Sequence, residues 1–157
     1  MDEKFDERKA HLQILFTELN NLVGYMNNRK YYNLNTVGNL IFHFNEIKNE
    51  TDKNWVYETL VGYMKRCSEH VPSINSKISN QLWNDYIDKI AVYYVDNLNF
   101  TQLLNRTFVY VIYLIVLCIC YIFLNLYVVF IVAFLFIMQI IRIYDKYRKR
   151  RVFGIFW

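Results

Sequence analysis

The chain has 157 residues, of which 55% are hydrophobic and 18% aromatic, and a formal net charge of +4. That length holds one small domain and a further element, and the positive charge lies almost wholly in residues 142–151, with residues 1–107 near neutral or slightly acidic. A diffuse basic surface is thereby excluded, and no nucleic-acid partner is expected.

The first hundred residues predict an all-α bundle of about four helices. Leu12, Leu15, Leu19, Leu22 and Met26 recur three and four apart, with Ile14, Phe16 and Val23 widening the stripe, and they place a first helix over about 3–28. The same stripe has heptad spacing and is open to two uses, packing in the local bundle or zipping to another copy. A second helix, capped by Asn33 or Asn35, carries Val37, Leu40, Ile41, Phe44 and Ile47. Thr51 or Asp52 caps a third, with Trp55, Val56, Leu60, Val61 and Met64, which ends near His70 because Pro72 cannot continue it. The fourth begins at Ser73 or Ser76 and carries Ile78, Leu82, Trp83, Ile87, Ile90 and Tyr94. No alternating strand pattern competes. Between Ser76 and Val152 there is neither Gly nor Pro, so the fourth helix is expected to run, with a slight break at 97–101, directly into the apolar segment beyond it.

Residues 108–141 form an apolar tract of 34 positions interrupted only by Asn125 and Gln139. A bilayer core ~30 Å thick takes ~20 helical residues. The tract is long for one span and short for two. One reading is a single helix ~51 Å long. The other is a hairpin turning at the polar cluster Tyr121, Asn125 and Tyr127, with arms of ~22 Å over about 106–120 and 128–142. The expected organisation is a cytoplasmic helical domain (1–100), a membrane segment (101–144) and a basic aromatic tail (145–157). Arg148, Lys149, Arg150 and Arg151, followed by Phe153, Phe156 and Trp157, combine attraction to anionic headgroups with aromatic anchors for the interface. The basic flank favours a cytoplasmic tail. The opening MDEKFDERKAHLQ has no apolar export signal, so a hairpin with both ends inside an inner or organellar membrane fits best.

Catalytic patterns are sparse. The three cysteines, Cys67, Cys118 and Cys120, are odd in number and suggest no disulfide framework. Cys67 and His70 stand three apart, but two ligands do not make a metal site, and neither metal nor cofactor is expected. Arg66 and His70, separated by three residues, resemble the Arg and His pair of the helical ribonucleases called HEPN domains, although that family separates them by more. The resemblance implies RNA cleavage; the plain alternative is positive charge at a helix end. The expectation is a non-enzyme. Three functional classes remain: a pore-forming or membrane-perturbing effector that assembles as a homo-oligomer, similar in layout to bacterial antiviral defence or toxin-like membrane proteins; a non-catalytic subunit among other membrane subunits of a respiratory or organellar complex; and a membrane-shaping hairpin of reticulon-like or caveolin-like type.

Overall fold

The computed structural model describes residues 6–102, 112–116, 118 and 126–154, without the side chains of residues 126–129. The described residues are mostly helical, with two strands of two residues each, so the class is all-α. They divide into two compact units, 1–100 with 153–157, and 101–152. The chain therefore leaves the first unit after Phe100 and re-enters it at Phe153. The expected tail, 145–157, is split between the two units at Phe153.

In the first unit, α1 spans Glu7–Val23, with the Asp6 carboxylate accepting from the Arg8 N–H at 3.0 Å. It ends sooner than the apolar stripe suggests. Gly24 takes φ +44 and turns its N–H onto the Asn20 carbonyl, a termination that glycine permits without a Cβ clash. The buried face is Leu12, Leu19 and Val23, whereas Leu22 lies outside it, more than half exposed.

A short 3₁₀ turn, Arg29–Tyr32, leads to α2, Leu34–Phe42. Asn33 precedes α2 in the left-handed region at φ 50, a conformation Asn tolerates, but its side chain does not cap. A second 3₁₀ turn, Phe44–Glu46, precedes α3, Glu50–Glu69. The cap of α3 is Asn49, whose Oδ1 accepts from the N–H groups of Thr51 and Asp52, rather than Thr51 or Asp52 itself. Asn75 does the same for α4, Ser76–Leu82, accepting from Lys77 and Ile78, where Ser73 or Ser76 was expected. Asn, Ser, Thr and Asp are close in cap preference, so side-chain geometry chose among neighbours.

A π turn, Trp83–Ile87, joins α4 without a break to α5, Asp88–Leu98. Its wider turn re-phases the stripe, and both Trp83 and Ile87 reach the core. Opposite it, Gly62 of α3 lets the Tyr86 ring come close; a Cβ there would stand 2.9 Å from Cε1. The core is built from α1, α2, α3, the π turn and α5, with Leu12, Leu19, Val37, Leu40, Val56, Leu60, Met64, Ile87 and Ile90 at most 1% exposed. Each such side chain contributes about 1.5–3 kcal/mol.

The chain breaks after Leu98, within the expected interruption at 97–101, and residues 103–111 beyond it lie outside the described residues. Asn99 enters the left-handed region at φ 57, and the N–H groups of Asn99 and Phe100 both turn onto the Tyr94 carbonyl. Asn supplies the stop that a glycine search would miss.

β1 (Thr101–Gln102) pairs with β2 (Val152–Phe153), and within the second unit the Thr101 N–H donates to the Arg151 carbonyl at 3.0 Å. Residues 112–116 and 118 are helical, and α6 spans Leu126–Arg148. The chain doubles back here. Tyr113 Oη donates to Gln139 Oε1 at 2.6 Å, and the Tyr113 and Phe136 ring centroids are 4.3 Å apart. A straight helix would hold residues 113 and 139 ~39 Å apart, so these contacts exclude the single long helix. Among the described residues, no helix is long and apolar enough to cross a membrane. Within α6 the uncharged stretch runs from Leu126 to Ile141 and stops at Arg142, ~24 Å of helix. Much of the apolar tract, including Tyr121 and Asn125, lies outside the described residues, and Tyr127 is described only as backbone of α6.

Candidate functional site

The chemistry of the second unit is set by what its side chains fail to bury. On α6, Phe130 is 66% exposed, Phe134 61% and Ile131 59%, and Leu135, Ile137, Met138, Ile140 and Ile141 are exposed as well. These positions take up well over half of the helix circumference, while Val132, Ala133 and Phe136 are half-buried on the side that meets Tyr113. On the other limb Ile112, Leu114, Ile115 and Val116 are likewise exposed. Contiguous apolar surface on this scale marks a place where something other than water is met.

The last turns of α6 change character. Arg142, Lys146, Arg148 and Lys149 lie there, with Arg150 and Arg151 next in sequence and exposed Tyr144 and Tyr147 interleaved. Lys149 pairs with Asp145 at 2.8 Å, and Lys146 Nζ donates to Thr101 Oγ1 at 2.6 Å. Cations at a helix C-terminus complement its partial negative charge. Arg150 stands at φ 55, its N–H on the Tyr147 carbonyl, while the Arg151 N–H reaches back to Lys146. This is the helix-closing pattern in which glycine usually occupies the left-handed position. Arg148 through Arg151, grouped by sequence as interfacial, thus lie together at the C-terminal end of α6.

Phe153 is not part of that group. It is 4% exposed, belongs to the core of the first unit, and stacks on Trp83 at 6.3 Å. Beside it, Thr36 Oγ1 donates to the Gly154 carbonyl at 2.8 Å and accepts from the Gly154 N–H at 3.0 Å, with Thr36 fully buried. The interfacial role expected of Phe153 is corrected on that ground: an aromatic ring packed in a protein core is withdrawn from a lipid surface. Phe156 and Trp157 lie outside the described residues.

The Arg66 and His70 pair separates into two local roles. Arg66 holds Glu69 at 2.9 Å, and that bond, with a further one to Tyr86, raises its guanidinium pKa. His70 is the C-cap of α3, its backbone N–H bonded to Cys67 and its carbonyl accepting from Ser73 Oγ. Cys67 is buried, and burial pushes its thiol up to about 12 against the opposing bond from Tyr63. Among the described residues, no group of three His, Cys, Asp or Glu side chains is placed to hold a metal.

Two polar clusters of the first unit had no sequence signal. Asn33 Nδ2 donates to Tyr63 Oη and Ser79 Oγ, both at 3.2 Å, while Tyr63 donates to the Tyr32 carbonyl and Ser79 to that of Tyr31. This knot ties α3 and α4 to the turn before α2. Burial raises the Tyr63 phenol far above its ordinary range. The hydroxyl of buried Tyr32 has no hydrogen-bond partner among the described residues. Near the start of α1, Asp6 meets Lys53 at 2.5 Å and Arg8, and Arg8 also bonds Glu50 at 2.9 Å and Asn54. Both clusters are internal braces of the bundle.

No protein-family model, no curated protein and no solved structure matches this chain.

Proposed function

We propose that the protein is a small membrane effector whose apolar second unit enters a bilayer as a hairpin and, by assembling with other copies, perturbs it. The observation that carries this reading is the apolar surface of α6, exposed over well over half of its circumference and followed in sequence by six basic residues among which Asp145 is the one acid. Apolar burial in lipid gives the free energy of insertion. The basic residues add attraction to anionic headgroups, ~1 kcal/mol per cation near the surface. Thr101 bonds to Arg151, so in this reading the chain enters and leaves the membrane on the same face, the cytoplasmic one.

Length supplies the mechanism. The uncharged arm of ~24 Å in α6 falls short of a hydrocarbon core of ~30 Å. A short element thins the bilayer around it or oligomerises to reduce the mismatch, and either response weakens the barrier. The same shortness favours a second reading, a wedge that bends the membrane without opening it. Vesicles of phosphatidylcholine with phosphatidylglycerol, loaded with a self-quenched dye, separate the two: release supports the effector, while tubulation without release supports the wedge. Purified protein that stays in solution when vesicles are floated away removes both. Phe134→Asp with Ile137→Asp serves as the control, because a charge at the centre of a membrane helix costs ~2.5–3.5 kcal/mol on insertion scales; the double variant should neither bind nor release.

A further inference from the structure

The first unit draws its helices from residues 7–98, yet a segment from the far end of the chain completes its core. Phe153 fills the space against Trp83, and Gly154 is held through one hydroxyl, that of Thr36, which serves both its N–H and its carbonyl. We propose that residues 152–154 are a latch: closed on Thr36 and Trp83, they tie the returning limb of the hairpin to the helical domain, and their release frees that limb to act. The regulatory role rests on the membrane reading above; the opening of the latch does not.

Three features make this segment a latch rather than a fixed part of the core. It is small: β2 has two residues, and its backbone partner, β1, has two. The Thr36 hydroxyl serves both backbone polar groups of Gly154, so one broken contact unpairs two backbone groups at once. It is also preceded by strain. Arg150 occupies φ 55, where a Cβ is disfavoured, two residues before the strand begins. The outgoing limb differs. It is preceded by Asn99, a residue that tolerates the left-handed region, and by α5, whose Ile90, Ala91 and Tyr94 are buried in the core.

Residue-resolved hydrogen exchange on the full-length protein, followed by dye release from the phosphatidylcholine and phosphatidylglycerol vesicles, tests the proposal. The Gly154 amide should exchange at least tenfold faster than those of Leu60 and Met64 in α3, through local opening. Thr36→Val keeps the side-chain shape and removes the hydroxyl; it should speed Gly154 exchange a further tenfold and raise release several-fold at equal bound protein. Thr36→Ser, which keeps the hydroxyl, should stay within about twofold of wild type in both. If Gly154 exchanges only as slowly as α3, the segment opens by global unfolding alone and the latch is refuted, whatever the vesicles do. If Thr36→Val opens the segment and release does not change, the segment is a structural tie and the proposal fails while the membrane reading stands. If local opening is found and no form of the protein binds or permeabilises vesicles, the membrane reading falls and takes the latch's output with it. Should Thr36→Val not fold, wild-type exchange decides the first arm, and Phe153→Leu, which keeps apolar volume and loses the stacking on Trp83, decides the second.

Discussion

Thr36 and Gly154, 118 positions apart, share one hydroxyl, which donates at 2.8 Å to the Gly154 carbonyl and accepts at 3.0 Å from its N–H. Both groups are buried. Removing the hydroxyl leaves an unpaired donor and acceptor, at ~1–3 kcal/mol. Thr36→Val should therefore lower the unfolding free energy in urea by that amount, and Thr36→Ser by much less. Equal stability of wild type and Thr36→Val would show that the buried pair contributes nothing.

Acid sensitivity should trace in part to Asp6. Burial alone would raise its carboxyl, but Lys53 and Arg8 outweigh that and hold it at about 2, below its ordinary 3.8. A depressed folded-state pKa stabilises above the unfolded value and loses its effect as pH falls from ~3.8 towards ~2. Solvent screening reduces the contribution to about 1 kcal/mol. Asp6→Asn should flatten the loss of stability across that window, as read from urea midpoints at several acid pH values.

Arg150 should be improvable. Its φ of 55 is a position where a Cβ costs ~1–2 kcal/mol, partly offset by the extra freedom glycine has when unfolded. Arg150→Gly should raise stability by roughly 0.5–1 kcal/mol, while Arg150→Ala, which removes the charge and keeps the Cβ, should not. A gain in both variants would assign the effect to charge instead.

Cys67 should be chemically silent in the folded protein. Its thiol is pushed up to about 12 by burial, so alkylation by iodoacetamide at mildly alkaline pH should be slower than in the unfolded chain by on the order of a thousandfold, since the thiolate is the nucleophile. Peptide mapping before and after urea measures it. Prompt native labelling at Cys67 would mean that α3 opens readily.

The fold-back of the second unit has a direct chemical test. Tyr113→Cys with Gln139→Cys, in a background without the native cysteines, should give an intramolecular product with a short bismaleimide, because the wild-type side chains touch at 2.6 Å. Exclusively intermolecular products would restore the straight helix, in which the two positions lie ~39 Å apart.

What the sequence determined by itself is what depends on local periodicity and composition. Leu12 and Leu19 in α1, Leu40 and Ile41 in α2, Leu60 and Met64 in α3 and Ile90 and Tyr94 in α5 recur at helical spacing, and all are buried. The concentration of apolar residues from 108 to 141 and of cations after Ile141 is equally a property of the chain. Tertiary structure decided where residues distant in sequence meet. Asn33 reads as a cap, but Tyr63 and Ser79 offer its amide better partners than its own helix does. Asn99 stops α5 without a glycine, because its short polar side chain tolerates the left-handed region. Phe153 reads as a membrane anchor, since aromatic and basic neighbours make the same local pattern at an interface as on a returning strand. Only the space beside Trp83 and the hydroxyl of Thr36 draw it into the helical core, and no periodicity records a contact made across 118 residues.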